Sequence, residues 1–293
     1  AMGSTTLSSI FINGGGTTTN PLLSQMNIAL GSQAFSYYTG GVGGAHDNIA
    51  FGARALYGSS TVPMTGYNNF AAGYEAMKMN TAGHDNTAIG LDSLFSNTYG
   101  EGNTAIGHAT LFSNTTGSNN LAIGYDTLIN NLTGHDNNAI GWNALSSNTT
   151  GSENTVLGVQ ALYKNTTGSN NSAIGYQAGY WIGDNSTSSN NVYMGPYAGY
   201  NHWKGNDNIM LGVRAGYNVD SATSTTFLGA YTDTINWNIS SSTAVGAGAI
   251  LSRSNTLVLG GTGANAVDVA IGTSTPWAKL SIMNTAGDQT ALF

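Results

Sequence analysis

Cysteine is absent from this chain of 293 residues. That excludes disulfides, thiolate metal sites and a cysteine nucleophile, and is compatible with an extracellular setting. Charge is almost missing as well: Lys and Arg number 7 and Asp and Glu 14, a net charge of −7 with a pI near 4.9. Such a chain offers no basic surface to nucleic acid or anionic lipid. Proline occurs 4 times, and no apolar run approaches the ~20 residues of a membrane helix. No segment holds a 3.6-residue period long enough for a helix. A signal-peptide pattern is missing too, and Ala1-Met2-Gly3-Ser4 reads as a cloning scar.

What the chain has in abundance is one phrase. NTAIG runs from Asn86 to Gly90 and again from Asn103 to Gly107, followed by NLAIG, NNAIG, NTVLG and NSAIG, the last ending at Gly175. The final glycine marks a register that begins at Gly31 and ends at Gly272, with six consecutive steps of 17 residues between Gly73 and Gly175. The steps drift toward both ends, as in stacked arrays whose terminal units cap an open edge. The pattern predicts an all-β fold: a parallel β-solenoid of about fifteen coils with a 17-residue period.

The columns carry separate expectations. Asn stands four residues before the register glycine, including Asn86, Asn103, Asn120, Asn137, Asn154 and Asn171. Its amide can bond to the backbone of the next coil and stack as a ladder at a corner. Ile89, Ile106, Ile123 and Ile140 precede the glycine directly and are expected to form the inward core stripe. Ala88, Ala105, Ala122 and Ala139, one position earlier, are then expected to face outward. Leu94, Leu111, Leu128, Leu145 and Leu162 form a second short strand, and Asn114-Thr115-Thr116-Gly117 and its equivalents form turns.

Chemistry-bearing groups are sparse. No Gly-x-Ser-x-Gly elbow is present, the glycine-rich stretch at Gly260 lacks the Lys-Ser/Thr of a phosphate loop, and no cofactor motif occurs. His84-Asp85 and His135-Asp136 are the candidates for a metal, but they lie three coils apart. The expectation is therefore a pair of Asp-capped turns with no metal. Aromatic residues are the better binding candidates: Tyr163, Tyr180, Tyr200 and Tyr217 stand five residues after the register glycine, and Tyr125 and Trp142 one residue after. They could grip a sugar or protein face, or fill a seam between protomers. A threonine column (Thr116, Thr150, Thr167) raises ice binding, but Tyr99 interrupts it.

NTAIGHATL, NLAIGYDTL and NNAIGWNAL resemble the head repeats of trimeric autotransporter adhesins. The resemblance implies left-handed parallel β-rolls that trimerise, although the period of 17 adds a turn that those heads usually lack. The stretch Val269-Ala270-Ile271-Gly272 through Pro276, Lys279 and Leu280 is similar to the connector of phage tail fibres and large bacterial surface proteins. It implies that Phe293 is a truncation or processing point.

The expected organisation is a scar and tail over 1–20, irregular coils over 21–85, regular repeats over 86–175, divergent aromatic-rich coils over 176–272, and a truncated connector over 273–293. Small coils with almost no charge on their flat faces suggest burial in an oligomer, intertwined or side by side and, by resemblance, a homotrimer. The expected role is non-catalytic: an extracellular adhesin or fibre segment showing a repetitive face to a glycan, matrix or cell-surface ligand. Membrane contact would come only through further parts of a parent chain. The alternative is a solenoid that binds ice or crystalline polysaccharide without a trimer.

Overall fold

The computed structural model describes residues 10–14, 26–36, 44–58, 62, 64–182, 188–261, 267–271 and 280–282. These residues form an all-β solenoid without a helix. One sheet of fifteen strands runs its length, and fourteen of them, from Met26–Leu30 to Leu257–Leu259, stack in parallel and in register. That makes about thirteen turns, not fifteen. The strand before Gly272, Val269–Ile271, pairs instead with Leu280–Ile282 in a separate two-stranded sheet. At ~4.8 Å per step the stack is roughly 60 Å long. The rest of the connector over 273–293 lies outside the described residues.

The expected tail over 1–20 contains one described strand, Ile10–Gly14, which pairs antiparallel with Met26–Leu30. It covers the first edge of the stack, where unpaired backbone groups would otherwise recruit another chain.

Each regular coil begins with a three-residue strand such as Thr87–Ile89, paired with Thr104–Ile106 on the next coil. Backbone bonding continues around the corners, as where Leu111 N–H donates to the Thr127 carbonyl at 3.1 Å. The register glycine is required by this stacking. At Gly141, with φ of 136°, a Cβ would lie 2.5 Å from the Gly158 carbonyl oxygen. No other residue allows the coils to approach so closely.

The strand faces are the reverse of the sequence expectation. Ala88, Ala105, Ala122 and Ala139 are fully buried, whereas Ile89 and Ile140 are 38% and 37% exposed. Leu94, Leu111, Leu128, Leu145 and Leu162 are inward as expected and fully buried, but they lie in a turn with left-handed backbone (φ of 52° at Leu94) and not in the expected second strand. The reason is volume. The interior of so small a coil is spanned by one Ala opposite one Leu, and a second large side chain does not fit.

Beyond Gly175 the two sizes trade places. The Ala column becomes Tyr193, Met210 and Phe227, all buried, and the Leu column becomes Gly179, Gly199 and Gly216. A Cβ on Gly179 would sit 2.9 Å from the Tyr193 ring, and one on Gly216 would sit 2.6 Å from Met210 Sδ. At the switch itself the coil of Gly175 has two small residues, Ala173 and Gly179, and the Tyr193 ring of the next coil packs over the space at Gly179.

Two asparagine ladders flank this core. The expected one is present: Asn137 Nδ2 donates to Asn120 Oδ1 at 3.1 Å and to the Gly151 carbonyl at 2.9 Å. Its own Oδ1 accepts from Asn154 N and Nδ2 at 3.1 and 3.0 Å. The ladder runs from Asn27 to Asn208, where Thr225 N–H takes the last Oδ1. The turn residues Asn80, Asn97, Asn114, Asn131, Asn148 and Asn165 build a second, equally buried ladder that the turn reading missed. It ends where Ile182 replaces Asn, and Asn165 Oδ1 is left buried without a partner.

Two outcomes follow for stability in urea unfolding. Asn137→Ala strands Asn154 N–H, while Asn120 Oδ1 keeps the backbone N–H of residue 137 and the Gly151 carbonyl keeps Asn148 Nδ2, so it should cost about 1–3 kcal/mol. Gly199→Leu and Tyr193→Ala should each destabilise, by overpacking and by cavity formation. Combined, they recreate the Ala-plus-Leu coil, and the double variant should recover about 1–3 kcal/mol relative to the sum of the singles.

Candidate functional site

The aromatic candidates fall into two groups with different exposure. Tyr163, Tyr180, Tyr200 and Tyr217 form one continuous pile, with ring centroids 5.1, 5.2 and 5.1 Å apart and interplanar angles of 13°, 17° and 6°. Phe95 and Phe112 form a shorter pile in the same register at 4.9 Å. Each ring is half-buried and gives its faces to its own neighbours above and below. Ring faces are what a sugar would stack on, so this column presents mainly edges and hydroxyls outward. Burial, with Tyr163 and Tyr200 adding to it, raises the Tyr180 pKa above the ordinary phenol value. Lys164 lies over the Tyr163 and Trp181 rings, and Arg214 over Tyr197 and Tyr217, each at 5.3–5.6 Å. These cations are docked on the column.

Tyr125 and Trp142 are more open, at 50% and 51% exposure. They lie just past the register glycine, beside the outward Ile column. Together the two columns make a stripe: Ile89, Ile106, Ile123, Ile140, Leu157, Ile174, Met194 and Leu211 on one side, and Leu91, Tyr125, Trp142, Val159, Tyr176 and Val213 on the other. His108, stacked on Tyr125 at 4.6 Å, is its single titratable side chain other than tyrosine over these coils. The stripe is about 40 Å long by coil count and two side chains wide.

The histidine candidates are not brought together. His84 Nδ1 pairs with Asp85 at 2.9 Å and its Nε2 with Glu101 at 2.7 Å, while its ring stacks on Tyr67. His135 Nδ1 pairs with Asp136 at 2.8 Å. Asn68, donating at 2.9 Å, and then His84 hold the Asp85 pKa below the usual carboxylate range. Among the described residues no group of three or more His, Asp or Glu side chains is placed to hold a metal.

A different histidine, His202, is fully buried in the column that follows the second Asn ladder, between Ile182 and Val219. Its Nδ1 shares a hydrogen bond of 2.7 Å with the Tyr193 hydroxyl. Burial lowers its pKa to about 4, against backbone hydrogen bonds that act to raise it.

Trp203 and Trp237 of the divergent coils, which sequence reasoning did not single out, are also exposed. Trp203 and Trp237 are 45% and 73% exposed, eight residues after their register glycines. The signal that could have found them is that this column is Thr or Leu in the regular repeats, at Thr98, Thr115, Leu132, Thr149 and Thr166.

The buried histidine yields a pH dependence. The folded state keeps His202 neutral down to about pH 4, whereas the unfolded chain takes up a proton near 6.5. The stability it allows is therefore intact above pH 6.5 and falls as pH drops toward 4, by roughly 3 kcal/mol. Unfolding free energies measured across that window should show the loss in the parent chain, and a smaller slope in His202→Gln. No protein-family model matches the chain, and no curated protein matches it, so its function must be argued from these faces of the rod.

Proposed function

We propose that this chain is a non-catalytic, extracellular rod, a segment of an adhesin or fibre that assembles with copies of itself along the Ile/Leu/aromatic stripe. The observation that carries the reading is that stripe. Monomers ordinarily leave no contiguous apolar surface beyond a few hundred Å². Here the positions on either side of the register glycine stay apolar over eight coils, His108 excepted, with no Lys, Arg, Asp or Glu among them to keep a second chain away.

A second copy is the best-matched occupant because the stripe repeats at the coil spacing. Any rod of the same sequence presents the same apolar residues at the same rise, so copies can mesh along their whole length. Closed three-fold association, as the head repeats of trimeric adhesins imply, would bury one stripe from each chain. Tyr125 and Trp142 would then fill the seam, and ligand contact would fall to the turns and to the divergent coils.

Sedimentation at micromolar concentration tests the assembly. The expected mass is three times the 30.1 kDa of one chain. Ile140→Lys with Leu157→Lys, both at exposed positions, should shift the population to monomer while leaving the β circular dichroism intact. A parent chain that sediments at 30.1 kDa overturns the reading and returns the stripe to ligand binding by a single solenoid.

A further inference from the structure

The divergent coils carry a cleft that neither the repeat nor the apolar stripe accounts for. It measures about 290 Å³ and is lined by Asn201, Trp203, Asn218, Asp220 and Trp237. The columns explain its shape. Trp203, Asp220 and Trp237 occupy one position on three successive coils, linked where Trp203 N–H donates to the Asp220 carbonyl and Ser221 N–H to the Trp237 carbonyl. Asn201 and Asn218 occupy the position two residues earlier on two of those coils. The intervening residues, His202 and Val219, point into the core and fix the outward direction of both columns.

Asp220 interrupts what would otherwise be an indole pile. Trp181 already stacks on Trp203 at 5.9 Å and 12°, so the near wall is backed by a second ring. Beyond Trp203 the next indole is two coils away, about 10 Å along the rod. A flat six-membered ring inserted above Asp220 would lie about 5 Å from each indole, within the 4.5–7 Å at which rings make contact.

The polar groups say what kind of ring. The Asp220 carboxylate and the Asn201 amide have no hydrogen-bond or ion-pair partner among the described residues, and neither do the two indole N–H groups. Asn218 gives its N–H and Nδ2 to Asp233, the latter at 2.8 Å, which holds its amide in place with Oδ1 uncommitted. The cleft thus offers an apolar slot rimmed by donors and acceptors. A pyranose has apolar C–H faces and a hydroxyl edge, and matches both features. An aromatic side chain would leave the carboxylate and the amide unanswered, and a small quaternary ammonium would leave most of the volume and both amides unused.

We propose that Trp203, Asp220 and Trp237, with Asn201 and Asn218, form a glycan-binding site that takes one pyranose between the two indoles. The site lies within one chain, so it does not depend on the self-assembly read from the stripe. Sedimentation can refute that assembly without touching it.

The test is a titration of the full chain with methyl glycosides of glucose, galactose, mannose, N-acetylglucosamine and N-acetylgalactosamine, followed by tryptophan fluorescence and by saturation-transfer NMR. Saturable binding of at least one glycoside is expected. It should weaken at least about tenfold in Trp237→Ala, whose side chain lies largely in solvent and is not needed for folding. It should also weaken in Asp220→Asn, which keeps the shape, and persist in Tyr163→Ala. Failure of every glycoside to saturate, or retention of binding in Trp237→Ala, overturns the assignment. So does saturation by tetramethylammonium with none of the sugars, which would make the cleft a cation cage.

Discussion

Every side chain in the regular part of this molecule sits directly above its own equivalent on the coil below, at the ~4.8 Å of a parallel ladder. Only residues that gain from touching copies of themselves suit such a column. Asn donates to Asn, Tyr stacks on Tyr, and Ala and Leu pack against their like. A charged residue repeated at that distance would repel its neighbours, which accounts for a chain in which only 7% of residues are charged. Some charges alternate with other residue types, as in the column of His46, Tyr67, His84 and Glu101, and where they are consecutive, as at Arg54, Glu75 and Asp92, Arg54 pairs with Glu75.

The same constraint makes the core one-dimensional. No coil can borrow volume from a distant part of the fold, so each must fill its own cross-section. The exchange of Ala and Leu for Tyr193 and Gly199 is the visible result: the Tyr193 ring takes the space that glycine leaves at both Gly199 on its own coil and Gly179 on the coil before. The end of the second Asn ladder is governed likewise. Once Ile182 enters the column, Asn165 Oδ1 has no donor, and the positions beyond are free to become apolar or, at His202, to pair across the core with Tyr193.

Function is confined by this arrangement to what the columns leave outside. The apolar stripe is a by-product of strand alternation, since burying Ala turns Ile outward on every coil. Its length makes it suited to a partner with the same repeat. The Trp203–Trp237 cleft arises in the opposite way, from a break in repetition, where Asp220 opens a gap that a uniform column would close.

The sequence alone determined the solenoid, its period and the first Asn ladder, because a strict column is visible as a strict spacing. It also contained the second ladder at Asn80 through Asn165, equally strict, but hidden among turn residues that have a local explanation of their own. The resemblance to adhesin heads pointed to self-association and could not say through which face. The tertiary structure decided the facing of the strands. Alternation states that Ala88 and Ile89 lie on opposite sides; only the width of the closed coil, set by Leu94 across from Ala88, determines which side is inside. It likewise separated the tyrosine pile, whose faces are used up within the rod, from the exposed Trp203 and Trp237. Ring exposure depends on what the next coil places beside each ring, and no single repeat contains that information.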